Sequence, residues 1–333
     1  MNVLVLSELT ASQLSDLSAL LTRTAKADGH PALAEPQRAA TARRDLGGAG
    51  ALAVLAYADT DGDTDADTDA DTDADADHAL VGCAVVTPAT DGAMALHVAI
   101  DPAHRDGAIR SSLLRAALSH TKGRVRLWLM QATAADDIEA AALGFLPERD
   151  LLQMRVPLPL PPAAVASARP VITRAFRPGQ DDEAWLNINN RAFADHPEQG
   201  GWTLEDLHAR TNAAWFDPEG FLVADYADNI QHRGDAVTPG GADARLLGSC
   251  WTKIHRDSDP VLGEIYVISV DPARHSEGWG RALTVAGLQW LSANGAPVGM
   301  LYTTASNTAA VTLYEALGFT IDHVDRSYLL TVS

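Results

Sequence analysis

The stretch VDPARHSEGWGRAL, residues 270–283, decides how this chain is read. Upstream, GEIYVISV (263–270) is apolar and β-branched, the composition of a strand. Downstream, GRALTVAGLQWLSAN (280–294) places Leu283, Ala286, Gly287 and Trp290 at helical spacing. Between them Asp271-Pro272 ends the strand, and Gly278 and Gly280 open a tight turn. A strand-to-helix turn of this kind exposes backbone N–H groups at the positive end of a helix, a cradle for phosphate. By itself a G-x-G is a weak signal, because it is often only turn geometry. Glu277 also sits inside the turn, an anion where an anion is to be held.

Working outward, IDPAHRDGAIRSSLLRAAL (100–118) aligns without gaps to VDPARHSEGWGRALTVAGL (270–288), with six of nineteen positions identical. Each copy follows a strand and precedes a second strand, a short helix and the tripeptide Leu-Gly-Phe, at 143–145 and 317–319. The chain is therefore read as two copies of one α/β unit, which its 333 residues accommodate comfortably. PLPLPPAAVASARP (157–170), with five prolines, reads as a semi-rigid extended linker. This sets the expected domains at 1–156 and 171–333.

In the second copy VITRAF (171–176) reads as a first strand, followed by helices around DDEAWLNINNRAF and TLEDLHARTNAAWF. FLVADY, ARLLGSCWTKIH and GEIYVISVDP read as consecutive antiparallel strands. The strand GMLYTTAS, the helix NTAAVTLYEAL and the closing strand TIDHVDRSYLLTV complete this unit.

Composition excludes several classes. Ten aspartates and no basic residue lie in 59–77, more than half of the net charge of −19. That tract reads as a disordered, self-repelling loop between the strands GALAVLAYA (50–58) and ALVGCAVVTP (79–88), because no register supplies the Gly and Glu of a calcium loop. The remainder is still acidic and has no basic stripe with interleaved aromatics, which argues against nucleic acid. No stretch approaches the roughly 20 apolar residues of a membrane span, so the expectation is a cytoplasmic protein without membrane contact. Cys83 and Cys250 lie in apolar strands and read as buried, reduced thiols, with no metal-ligand spacing.

Two further residues could carry chemistry. Glu264, seven positions before Asp271 among apolar neighbours, has the setting of a general base, or of a solvated strand end. Tyr314, three before Leu317, could donate a proton, or simply pack. The first copy has Met94 and Ala140 at the corresponding positions, neither able to move a proton. It also has Arg110 in place of the last loop glycine. It is expected to be catalytically silent.

Strand, V-D-P, glycine loop and helix, then strand and S-N-x-x-A-x-x-x-Y-E-x-L-G-F (306–319), resembles the GNAT family of acetyl-CoA-dependent N-acetyltransferases. The resemblance spans the second half and, more weakly, the first. It implies an α/β (α+β) chain of two tandem acyltransferase domains, each a mixed, mostly antiparallel sheet flanked by helices. NNRAFADHPEQGGWT (189–203) with WTKIH, GEIYV and VDRSYLL is similar to tandem members of that family. Those members acetylate the cysteinyl amine of a cysteinyl-glucosaminyl-inositol. The alternatives are a tandem acetyltransferase of another small amine or peptide N-terminus, and a non-catalytic acyl-CoA sensor.

The resemblance assigns Glu264 to deprotonating the substrate ammonium and Tyr314 to protonating the departing thiolate. It implies that acetyl-CoA is held by Ile268, Ser269 and Val270, by the loop His275, Ser276, Glu277, Gly278, Trp279, Gly280 and Arg281, and by Asn307 and Thr308. In the first copy Val98, Ala99 and Ile100 would offer the matching backbone to a second coenzyme. Glu35, Glu198, Lys253, Glu264 and Tyr302 would hold the sugar-thiol substrate. No metal is implied, and a monomer is expected. The family loop usually begins Q/R-x-x-G, so His275, Ser276 and Glu277 are departures.

Overall fold

The computed structural model describes residues 1–29, 32–33, 37, 41, 46, 50–58, 79–89, 91–105, 108–194, 200–230 and 246–332. The Asp-rich tract, Glu35 and Glu198 lie outside the described residues. The chain forms two compact units, Met1–Asp150 with Asp325–Ser333, and Leu151–Val324.

Unit 1 opens with β1 (Asn2–Leu6) and α1 (Ala11–Asp28), whose start is fixed by a capping box between Thr10 and Gln13. β2 (Leu52–Tyr57) and β3 (Leu80–Pro88) form the antiparallel pair that flanks the acidic tract. β4 (Met94–Ile100), α2 (Ile109–Ser119), β5 (Gly123–Leu129) and α3 (Ala134–Ala142) follow. β4 and β5 run parallel, as the helical crossover requires. One sheet face packs Leu96, Val125 and Leu127 with Leu113 and Leu114 of α2. The other packs Leu55, Cys83 and Ala99 with Leu17 and Leu20 of α1.

The chain changes unit within β6 (Leu146–Pro157), whose residues 151–157 belong to unit 2. There follow α4 (Pro162–Ala166), β7 (Arg174–Ala175), α5 (Asp182–Ala192), α6 (Leu204–Thr211), β8 (Phe221–Asp225) and α7 (Tyr226–Asn229). The unit continues with β9 (Leu246–His255), β10 (Leu262–Val270), α8 (Trp279–Ala293), β11 (Val298–Thr304) and α9 (Thr308–Glu315). The strand order of unit 2 is β6-β11-β10-β9-β8-β7, antiparallel except for β10 with β11.

Two expectations change here. The last strand, β12 (Thr320–Val332), pairs through Arg326–Val332 with β5 of unit 1. The strand that closes unit 2 beside β11 is instead residues 151–157 of β6, of which the sequence reading had put 151–156 in the first domain and Pro157 in the linker. Apolar alternation fits these strands to either sheet, so pairing choice was not legible locally. The Pro-rich segment is not an extended linker. Pro162 starts α4, Leu160 is buried, and Leu158, Val165 and Ala168 pack on the core of unit 2.

The two faces of the unit 2 sheet differ in chemistry. On one, Leu283, Leu288 and Leu291 of α8 pack on Cys250, Ile265 and Leu301, with Tyr314, Leu317 and Phe319 from α9 and the chain after it. The α5 and α6 face carries Trp185, Trp251, Phe221 and Phe176, with Trp251 and Phe221 stacked at 4.3 Å.

Candidate active site

The site begins where the sheet of unit 2 comes apart. β10 and β11 pair in parallel only from Leu262 with Val298 to Ile265 with Leu301, although β10 continues to Val270 and β11 to Thr304. A register shift between Ile265 and Val267 inserts Tyr266 as an extra residue and bends β10 away at that point. Beyond it the sheet has an opening bounded by two strand edges.

Which groups face the opening follows from alternation. Asp271 N–H bonds Leu247 O on β9, and Ser269 shares that parity. Ile268 and Val270 therefore turn their backbone groups away from β9, and Val270 O lies 3.3 Å from His275 Nε2. Ser269 directs its backbone to β9. Its hydroxyl pairs with Ser249 Oγ at 2.8 Å, which in turn accepts Trp185 Nε1–H. Of the three residues expected to offer backbone to a ligand, Ile268 and Val270 are turned to do so.

At the end of β10 the turn expected from the sequence is formed. Asp271 caps the short turn Pro272–Arg274 and is anchored by Arg191 and by Tyr226 O–H at 2.8 Å. Burial pushes its carboxyl up, but the Ala273 N–H, Tyr226 and Arg191 together hold it below the usual range. Ser276 and Gly278 both take positive φ, 64° and 84°, before α8 begins at Trp279. Glu277 is turned out of the cradle: its carboxylate accepts from Arg274 at 3.2 Å and from Trp279 Nε1 at 3.1 Å. Its carbonyl accepts from Arg169 at 2.8 Å, and that guanidinium lies 3.5 Å from the Trp279 ring centroid. Arg281 donates to Ser167 Oγ at 2.8 Å. Residues of the supposed linker thus brace the loop, a role its composition did not show. The loop's departures leave its backbone donors in place, so a diphosphate fits.

Glu264 stands on the last paired rungs before the opening, opposite Lys253 on β9 and Met300 on β11. It is buried, and its Oε2 lies 2.7 Å from His255 Nε2. Lys253 Nζ sits 4.5 Å from the Trp215 ring centroid and 5.5 Å from that of Tyr266. Tyr302, exposed, accepts a hydrogen bond from buried Gln153 at 2.7 Å. By register Lys253, His255, Glu264, Met300 and Tyr302 share the α5 and α6 face. Glu264, Lys253 and Tyr302 are thereby brought to one surface.

Tyr314 is on the other face. It is buried in the α8 core, and its phenol is pushed up by burial and by the Cys250 thiol. Cys250 is the strand partner of Ile268, so Tyr314 lies alongside the opened stretch. Among the described residues its hydroxyl has no hydrogen-bond partner. The carboxylate and the phenol therefore stand on opposite faces of the sheet, against the expectation of an acceptor and a donor around one cleft. Asn307 caps α9 by accepting the Ala310 N–H, with Thr308 as its first residue.

In unit 1 β4 likewise parts from β5 after His97 and Trp128, leaving Val98, Ala99 and Ile100 beyond the pairing. Arg105 Nε lies 3.4 Å from Ile100 O. Ala140 packs on the α2 core as Tyr314 does on that of α8, but Met94 also packs on the α2 core, the face opposite to that of Glu264 in unit 2, because β4 has no bulge like that at Tyr266. Arg110 is tied to Asp136 and to Glu139 at 3.3 Å. His255, Trp215 and Gln153 were not singled out from the sequence. His255 was within reach, since it stands two residues from Lys253 on one strand and so shares its face.

Comparison with known proteins agrees with this geometry. A family model described as Acetyltransferase (GNAT) family matches residues 183–319. The mycothiol acetyltransferase of Thermomonospora curvata is 44% identical over 76% of this chain and 79% of its own length. That of Kocuria rhizophila is 38% identical over 94% of both. Among solved structures, a GCN5-related N-acetyltransferase from Sphaerobacter thermophilus superposes with a TM-score of 0.65 at 19% identity, covering 99% of this chain and 96% of its own. A tandem GNAT protein from the clavulanic acid biosynthesis pathway gives 0.62 at 12% identity, covering 100% and 98%.

Proposed function

The chain belongs to the mycothiol acetyltransferases, tandem members of the GNAT family, and from that premise we propose how its second unit acts. The enzyme is an acetyl-CoA-dependent N-acetyltransferase. Its substrate is the free cysteinyl amine of 1D-myo-inositol 2-(L-cysteinylamino)-2-deoxy-α-D-glucopyranoside, and its product is mycothiol. The observation that carries this reading is the parted sheet, with a buried carboxylate at its mouth on one face and an uncommitted phenol on the other.

Acetyl-CoA supplies the acetyl group as a thioester. Ile268 and Val270 pair with its pantetheine arm, and the 275–281 loop holds the diphosphate through backbone N–H groups. Glu264 accepts the proton of the incoming ammonium, because only the neutral amine is a nucleophile. Tyr314 donates its proton to the sulfur as it leaves, and burial keeps the phenol protonated for that task. Lys253 and Tyr302, on the face of Glu264, bind the hydroxyl-rich substrate. Unit 1 lacks both proton groups and is catalytically silent, although Val98 and Ile100, unlike Ala99, turn their backbone to the open edge where a coenzyme would pair.

The test is incubation with acetyl-CoA and the cysteinyl pseudodisaccharide, following release of the coenzyme thiol. Glu264→Gln is expected to lower kcat by roughly 10²–10⁴-fold with little change in the KM of acetyl-CoA. Wild-type turnover of a peptide N-terminus in preference to the pseudodisaccharide would overturn the substrate assignment.

A further inference from the structure

Glu264 has one hydrogen-bonding side chain against it among the described residues, and that side chain is an imidazole. The pair is made by register. β9 and β10 are antiparallel, with Leu262 opposite His255 and Glu264 opposite Lys253, so His255 reaches Glu264 diagonally along one face. The His255 side chain is 27% exposed and that of Glu264 11%, so the imidazole is the member of the pair nearer to water. Two charged groups stand nearest in register. Lys253 is two residues away on β9, with its ammonium on Trp215 and Tyr266. Arg155 of β6 lies opposite Met300, its Nε donating to Gln153 and its Nη2 lying 3.2 Å from Asp322. From α6, Arg210 reaches the phenol of Tyr266 at 3.1 Å, and His208 is paired with Asp182. From β11, Tyr302 is held by Gln153. None of these side chains contacts the carboxylate of Glu264.

We propose that His255 is a positioning residue for the acetyl transfer: it donates its Nε2–H to Oε2 of Glu264, fixing the carboxylate so that Oε1 is presented to the substrate ammonium. The proposal rests on Glu264 being the base. Neutral imidazole with Nε2–H supplies one donor and leaves the carboxylate free to take a proton. No proton leaves the enzyme through His255 in this scheme; it orients the acceptor.

The test is kcat and the KM of acetyl-CoA at saturating pseudodisaccharide for wild type, His255→Gln, His255→Leu and Glu264→Gln. Gln keeps an N–H donor at the position of Nε2, and His255→Gln is expected to keep kcat within about fivefold of wild type. His255→Leu is expected to lose roughly 10²-fold in kcat, as misplacement of a catalytic group does, with the KM of acetyl-CoA unchanged. A His255→Leu kcat equal to that of His255→Gln overturns the proposal. Full rate in Glu264→Gln would instead remove the base itself. Loss in Glu264→Gln beside a wild-type kcat in His255→Leu would remove only the role of His255.

Discussion

Gly287 of α8 is buried where the helix crosses the sheet, and replacing it by alanine sets two effects of opposite sign against each other. In a helix interior Gly→Ala stabilises by about 1 kcal/mol, because glycine loses more backbone freedom on folding. Here the added Cβ falls well inside van der Waals contact of Cys250 Sγ, 2.9 Å from Ile265 Cδ1 and 3.4 Å from Thr252 Cγ2. The Ile265 methyl can rotate away, but Cys250 is short, fully buried and fixed on β9. Overpacking of this kind costs about 1–3 kcal/mol. With two tight contacts the upper part of that range applies, and the net loss is about 1–2 kcal/mol. For a unit of this size that lowers Tm by roughly 3–6 °C, read as the first transition in a thermal scan. Because α8 starts at the diphosphate loop, the KM of acetyl-CoA should rise in parallel. The decisive control is Cys250→Ala, which removes the clashing sulfur. In that background Gly287→Ala should be neutral or stabilising, a coupling of about 1–2 kcal/mol between the two sites. A Gly287→Ala protein as stable as wild type, or the same loss with and without Cys250, would refute the packing argument.

Other consequences follow from the same geometry. Tyr314→Phe removes the proposed donor, and kcat should fall roughly 10²–10⁴-fold. Burial raises the phenol of Tyr314 above the usual tyrosine range, so its donor form persists as pH rises; an alkaline fall in wild-type kcat within that usual range that disappears in Tyr314→Phe would contradict this. Arg169→Ala removes the hydrogen bond to Glu277 O and the contact with Trp279, and should raise the KM of acetyl-CoA roughly three- to tenfold, with kcat little changed in steady-state assays. A fragment of residues 151–324 should be soluble and melt cooperatively, whereas 171–333, which lacks the strand that pairs with β11, should not; equal behaviour of the two fragments by circular dichroism would argue against the strand assignment.

Much of the site was readable locally. The strand-to-helix turn follows from Asp271-Pro272 and the glycines, and Glu264 and Tyr314, the proposed acceptor and donor, were singled out by the family resemblance. What local reading could not supply was the company these residues keep. Glu277 looked misplaced because its partners Arg274 and Trp279 depend on the turn's backbone path. Arg169 and Ser167 looked like linker because proline composition describes a free chain, not one that packs Leu160 and Val165 into a core.

The sequence by itself determined the local elements and the residue types available to them, since turn chemistry and hydrophobic period act over a few residues. Tertiary structure alone decided which strands pair and on which side of the sheet each group stands. It placed β12 beside β5 and residues 151–157 beside β11. It also set Glu264 and Tyr314 on opposite faces of a sheet that parts between them. Alternating apolar strands are nearly interchangeable as partners, so the choice among them rests on contacts between residues far apart in the chain.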